Sequence, residues 1–223
     1  ERIERKCFEV KRDSSKIRLI AVSKTFGVED IRKVLDNGIG DFGENKAQEL
    51  SAKFEQLGNE VTWHFIGHLQ RNKVRYVVPA ASCIHSVDSL RLASEVNKYA
   101  AKYNKVQKIL IQVKTSYEET KSGIENISEL SDLAGYCNEF SNVELLGLMT
   151  IAPFTDDREI IKQSFRQLRK LKDTLNADGF NLKELSMGMT SDFEIAIEEG
   201  ATMLRIGSAI FGERDYSKDW KES

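Results

Sequence analysis

Proline and cysteine are scarce in this 223-residue chain, which has two prolines, three cysteines, three histidines and two tryptophans. Its 14 glycines are scattered, so no Pro-rich or Gly-rich linker divides the sequence, and residues 1–223 read as a single domain. Cys7, Cys83 and Cys137 are odd in number and widely spaced, with no CxxC pair. That pattern argues against a disulfide framework or a thiolate metal site, and free thiols in a reducing, cytoplasmic setting are expected. An excess of one charge is also missing. Lys and Arg total 33 against 35 Asp and Glu, a net charge of -2, which gives no electrostatic basis for binding nucleic acid or an anionic membrane. The longest weakly polar stretch, around residues 145–154, falls far short of the ~20 residues needed to cross a bilayer. The first ten residues are charged and contain no apolar core, so no signal peptide is expected.

What is present is a regular alternation. Short β-branched runs at 17–24, 39–44, 63–67, 82–87, 108–113, 144–151, 184–189 and 202–211 are separated by amphipathic segments at 28–36, 46–57, 71–77, 89–103, 127–140, 157–175 and 192–199. In the longest of these segments Ile160, Ile161, Phe165, Leu168, Leu171 and Leu175 form one helical stripe, with Lys and Arg on the opposite face. Eight βα-type strands in about 220 residues predict a single α/β (β/α)₈ barrel, with an open doubly wound sheet as the alternative.

In such a barrel the chemistry sits where strands end, and phosphate binds near the loops after strands seven and eight. The first strand ends in Val22-Ser23-Lys24-Thr25. A lysine at a strand end reads first as one leaving the sheet for solvent. Walled by Leu19, Ile20 and Val22, it has a second reading, because desolvation disfavours the ammonium and leaves an amine able to attack an aldehyde. Residues 186–191 and 205–208 read either as tight turns or as a divided phosphate cup of glycines and hydroxyls. Neither GxGxxG nor GxxxxGK[ST] occurs. His64 and His68 straddle a predicted strand, where four residues span about 13 Å, too far to share one ion. His85 reads as a satisfied core histidine, and the basic residues at 71–75 and 162–172 as solvated helix faces.

Three blocks, Ile20-Ala21-Val22-Ser23-Lys24-Thr25, Phe42-Gly43-Glu44-Asn45 and Trp63-His64-Phe65-Ile66-Gly67-His68-Leu69-Gln70-Arg71-Asn72-Lys73, resemble the pyridoxal phosphate homeostasis proteins. So do Gly147-Leu148-Met149-Thr150, the block from Leu185 to Asp192, and the block from Arg205 to Gly212. The resemblance runs over about residues 17–212. It implies a barrel of the alanine racemase N-terminal kind holding pyridoxal 5′-phosphate (PLP) as a Schiff base on Lys24. It further implies Ser186, Met187, Gly207 and Ser208 around the phosphate, Arg205 facing the pyridine nitrogen, and Asn45, His64 and Met149 lining the pocket. Lys114, Thr150 and Thr190 depart from the residues expected at their positions, and Lys121 is a candidate second PLP-reactive lysine.

Arginine cannot accept the pyridine proton, so the ring is a weak electron sink compared with enzymes that place a carboxylate there. Alanine racemase compensates with a tyrosine from an additional C-terminal domain, which is not expected in a chain ending at Ser223. The resemblance therefore implies an intracellular PLP carrier, buffer or regulator with little amino-acid turnover. It also implies a monomer, with PLP-requiring apo-enzymes as candidate recipients. The alternatives are a PLP-dependent amino-acid racemase and a Schiff-base aldolase acting without PLP.

Overall fold

The computed structural model describes residues 1–115 and 123–213. Eight parallel strands close into a barrel in sequence order. They are β1 (Arg18–Val22), β2 (Asp41–Glu44), β3 (Thr62–Phe65), β4 (Cys83–Val87), β5 (Gln107–Gln112), β6 (Val143–Met149), β7 (Glu184–Ser186) and β8 (Met203–Ile206). Closure is made by β1, which pairs with β2 on one side and with β8 on the other, from Arg18 opposite Met203 to Ala21 opposite Ile206. The open-sheet alternative is thereby removed. Parallel strands covered on both faces need apolar residues on both, and the consecutive buried Ile109, Leu110 and Ile111 of β5 meet that demand.

The helices are α1 (Arg2–Glu9), α2 (Val28–Asp36), α3 (Ala47–Leu57), α4 (Val74–Ala80), α5 (Leu90–Lys102), α6 (Ile127–Glu139), α7 (Arg158–Ala177), α8 (Phe193–Glu198) and α9 (Ser208–Phe211). The predicted stripe on α7 buries Ile161, Phe165, Leu168 and Leu175, and Asp157 caps the helix by accepting from the Glu159 and Ile160 amides. The sequence reading did not anticipate α1, a mostly polar helix that buries only Cys7 and is tied to α8 by Lys6–Glu198 at 2.6 Å and Arg2–Glu194 at 3.0 Å.

Most strands end short of expectation, and the truncations of β7 and β8 shape the top of the barrel. β7 stops at Ser186, and Gly188 then turns the chain at φ +96°. β8 stops at Ile206, and residues 208–211, expected as strand, form α9. Inside the barrel, Ile20, Cys83, Leu110, Met149 and Met203 form an apolar layer separate from the larger core between sheet and helices.

Candidate functional site

Lys24 lies two residues beyond the end of β1 and is half-buried. A buried charge cluster grips the chain on both sides of it. Lys53 of α3 is fully buried, and its Nζ donates to Ser23 O (2.9 Å), Glu44 Oε1 (2.7 Å) and Glu49 Oε1 (2.8 Å). Ser23 Oγ donates to the same Glu44 oxygen at 2.6 Å, and the Thr25 amide donates to Glu49 Oε1 at 2.7 Å. Thr25 is held at φ +73°, a left-handed conformation that a β-branched residue adopts only when its surroundings impose it. Burial pushes the Glu44 carboxyl up to about 7, with Lys53 opposing and Glu49 adding to the rise. Its Oε2 has no partner among the described residues.

A cavity of about 470 Å³ opens at the C-terminal ends of the strands. Lys24, Asn45, Arg205, Gly207 and Ser208 line it, as does the pair Thr190 and Ser191. Val22, Ile66, Ile151, Met189 and the fully exposed Phe154 supply its apolar surface. Asn45 contributes a buried Oδ1 that lacks a partner among the described residues. Its backbone is fixed by Gly67, where an added Cβ would lie 2.1 Å from Asn45 O. The loop carrying Thr190 and Ser191 is pinned by Asp192, whose Oδ1 accepts the Met189 amide. At Gly188 a Cβ would approach Ala196 Cβ to 2.6 Å, so only glycine lets this loop rest on α8. On the other side, Phe26 stacks on Phe211 of α9 with centroids 4.8 Å apart, joining the Lys24 loop to the end of the chain's last described helix. A larger groove of about 860 Å³ lies outside the barrel along Phe54, Tyr76, Pro79 and Tyr99 and holds none of the strand-end residues.

Arg205 is buried, with one guanidinium nitrogen on Ser186 Oγ at 2.5 Å and another on Thr150 O at 2.8 Å. The Thr150 hydroxyl is held by Val113 O at 2.8 Å and Thr115 Oγ1 at 2.8 Å, so the departure at this position braces the carbonyl that receives Arg205. Burial lowers the Arg205 pKa to about 10, with Asp192 opposing, and the group is a cation at neutral pH.

The expected site residues thus divide into two levels. Lys24, Asn45, Arg205, Gly207 and Ser208 share the cavity. Ser186, His64 and Met149 lie beneath it and, like Met187, are fully buried. Ser186 and His64 point into the barrel, and Met149 packs in the interior layer. Met187 joins the outer core, with its amide spent on Met203 O at 3.1 Å. Thr190 and Ser191 were legible only as part of the hydroxyl-rich segment 186–191, and Phe154 carried no sequence signal. Lys114 is paired with Glu125, and Lys121 lies outside the described residues.

A closed barrel with an amine at the end of β1 and a hydroxyl cup after β7 and β8 is the arrangement that the resemblance to the alanine racemase N-terminal domain implied. The model of that family matches residues 1–215, and the chain belongs to it. Within it, the chain belongs with the pyridoxal phosphate homeostasis proteins. It is 45% identical to the one from Aquifex aeolicus strain VF5 over 97% of this chain and 95% of that protein. It is 41% identical to the one from Pongo abelii over 90% of this chain and 78% of that protein. PipY of Synechococcus elongatus PCC7942, solved with PLP bound, superposes with a TM-score of 0.84 at 34% identity, covering 95% of this chain and all (100%) of that one. An alanine racemase from Clostridium difficile 630 shares the fold alone, with a TM-score of 0.75 at 15% identity over 99% of this chain and 61% of that one.

Proposed function

We propose that this protein holds PLP on Lys24 and serves intracellular PLP homeostasis rather than amino-acid turnover. PLP, when bound, supplies an aldehyde that a lysine amine captures reversibly. One observation carries the reading: an amine, a buried guanidinium and three hydroxyl side chains share one cavity of about 470 Å³, a size suited to a small cofactor. The residues fit PLP in chemistry as well as in number. Lys24 offers the amine, while Thr190, Ser191 and Ser208 offer hydroxyls to a phosphate at the loops where barrels of this type bind one. Arg205 only donates, so it would hold a ring acceptor and could not take a proton from it. The unpartnered Asn45 Oδ1 would accept from a hydroxyl on the ring.

The cavity wall supports holding over turnover. Among the described residues that line it there is no carboxylate, imidazole or phenol to act as a second acid or base opposite Lys24. Three buried free cysteines favour a reducing compartment, hence the cytoplasm. Met189 and Phe154 are exposed at the rim of the cavity, which favours hand-over to apo-enzymes, and the protein is proposed to act as a monomer. Among the described residues no helix is long and apolar enough to cross a membrane.

A PLP titration with borohydride reduction and peptide mapping tests the reading. The pyridoxyl tag is expected on Lys24, with the visible absorbance lost in Lys24→Ala and negligible racemisation of L-amino acids. A tag on another residue, or racemisation at rates typical of enzymes, would overturn it.

A further inference from the structure

Beneath the cavity, a line of polar side chains crosses the barrel interior. From Arg205, the contacts run to Ser186 Oγ (2.5 Å), Ser186 Oγ to His85 Nδ1 (2.8 Å), His85 Nε2 to His64 Nδ1 (2.9 Å) and His64 Nε2 to Asp41 Oδ1 (2.8 Å). Asp41 opens β2 and is partly exposed at the opposite, N-terminal mouth, where Arg18 Nε stands 3.9 Å away. Ser186, His85 and His64 are fully buried.

Donor chemistry fixes the direction of every bond. A carboxylate only accepts, so His64 Nε2 carries a proton that it donates to Asp41. Burial lowers the pKa of both imidazoles, that of His85 well below the ordinary value, so each is neutral with one proton. His64 Nδ1 therefore accepts, and His85 Nε2–H donates to it. His85 Nδ1 in turn accepts, and the donor must be the Ser186 hydroxyl. Ser186 is left to accept from Arg205, which can do nothing but donate. Each partner uses the one role open to it, and the line runs one way from the cofactor cavity to the far mouth.

A buried metal site would explain the same clustering, since Cys83 Sγ and the two ring nitrogens lie within 4.8 Å of one another. Two nitrogen ligands on one tetrahedral ion stand about 3.3 Å apart, given metal–nitrogen bonds near 2.0–2.1 Å. The rings meet at 2.9 Å, the length of a hydrogen bond, and burial drives the Cys83 thiol up to about 12, away from the thiolate a metal requires.

We propose that Ser186, His85, His64 and Asp41 are positioning residues for the cofactor, a one-way hydrogen-bond chain that holds the Arg205 guanidinium and couples it to the opposite mouth of the barrel. This rests on the PLP reading above. The chain accounts for two strictly polar histidines in the centre of a barrel whose neighbouring layer is apolar. It also gives the buried levels a task that direct contact with the cofactor does not require: each additional polarised bond strengthens its neighbours in a low-dielectric interior.

The test is nitrogen-detected NMR of histidine-labelled protein, with exposed His68 as the reference. Both His64 and His85 are expected as neutral Nε2–H tautomers from pH 7 to 8, a range in which Asp41, Arg18, Glu184 and Arg205 are the charged groups facing them. On PLP loading both rings should shift while His68 stays fixed, and Asp41→Asn should weaken PLP binding about tenfold by loosening Arg205. An Nδ1–H tautomer or an imidazolium at either ring overturns the chain. So does a His64 signal unmoved while PLP loads onto Lys24, or an Asp41→Asn variant that binds PLP as tightly as wild type. If no absorbance develops on Lys24 at all, the PLP reading itself fails, an outcome separate from these.

Discussion

Glu44 carries the sharpest prediction available to a single residue. In an unfolded chain its carboxyl has the ordinary value of 4.5, whereas in the fold burial raises it to about 7. The folded state therefore binds the extra proton between those values, and stability falls as pH rises through that window. His64 and His85 act in the opposite sense. Their pKa values are lowered by burial, so the stability they contribute is present above about 6.5 and is lost as pH falls. Urea denaturation at pH 5, 6, 7 and 8 should show the alkaline loss flattened in Glu44→Gln and the acid loss unchanged. An unaltered alkaline slope would remove Glu44 as its source. Lys53→Met poses a different question, since it strands two buried carboxylates without their ammonium. A loss of about 3–5 kcal/mol is expected, and adding Glu44→Gln to Lys53→Met should recover part of it. Wild-type stability in Lys53→Met would mean that the cluster is not holding the segment around Lys24.

At the scale of elements, the loop from β7 to α8 shows how a few residues shape the cup. Gly188 stands at φ +96° with Ala196 behind it, so Gly188→Ala combines backbone strain with a clash. A destabilisation of about 1–3 kcal/mol is expected, together with weaker PLP binding because Thr190 and Ser191 move with the loop. Thermal unfolding and a PLP titration check the two halves, and a variant that bound PLP normally would detach the loop from the site. The alternation of strands and helices was legible in the sequence because periods of 2 and 3.6 imprint locally. Strand ends were less so, since β8 stops at Ile206 and the next helix takes over at Ser208, where strand was expected. Lys24 could be placed at one mouth because it ends the first predicted strand, whereas the resemblance, not the alternation, brought Asn45, Arg205, Gly207 and Ser208 to the same site. The level of His64 and Ser186 could not be placed. Whether an inward residue meets the cavity or the residue across the barrel depends on register with strands far away in sequence, and Ser186 meets His85 across 101 positions. The polar N-terminal helix α1 left almost no apolar stripe to read, with Cys7 its only buried residue.

The barrel closes where its first and last strands meet, and the candidate site sits on that seam. Lys24 follows β1, Asn45 follows β2, Thr190 and Ser191 follow β7, and Gly207 follows β8, so the cavity takes its polar residues from the first two and last two strands. A ligand held there bridges the closure, whereas β4 and β5 lie across the barrel and give the cavity no lining residue among those described. At a hundredfold excess of ligand over Kd, binding adds about 2.7 kcal/mol to global stability. Amides that exchange only through global unfolding gain that protection everywhere in the barrel. Amides that exchange through local opening gain it only where the opening breaks the site. Hydrogen exchange with and without PLP should therefore show the largest gains at residues 23–27, 187–192 and 207–212, with little change in the locally opening ends of α5 and α6. Equal gains in those helix ends would mean that the ligand tightens the barrel as a whole and not its seam. Gains confined to α5 and α6 would place the binding site on the wrong wall.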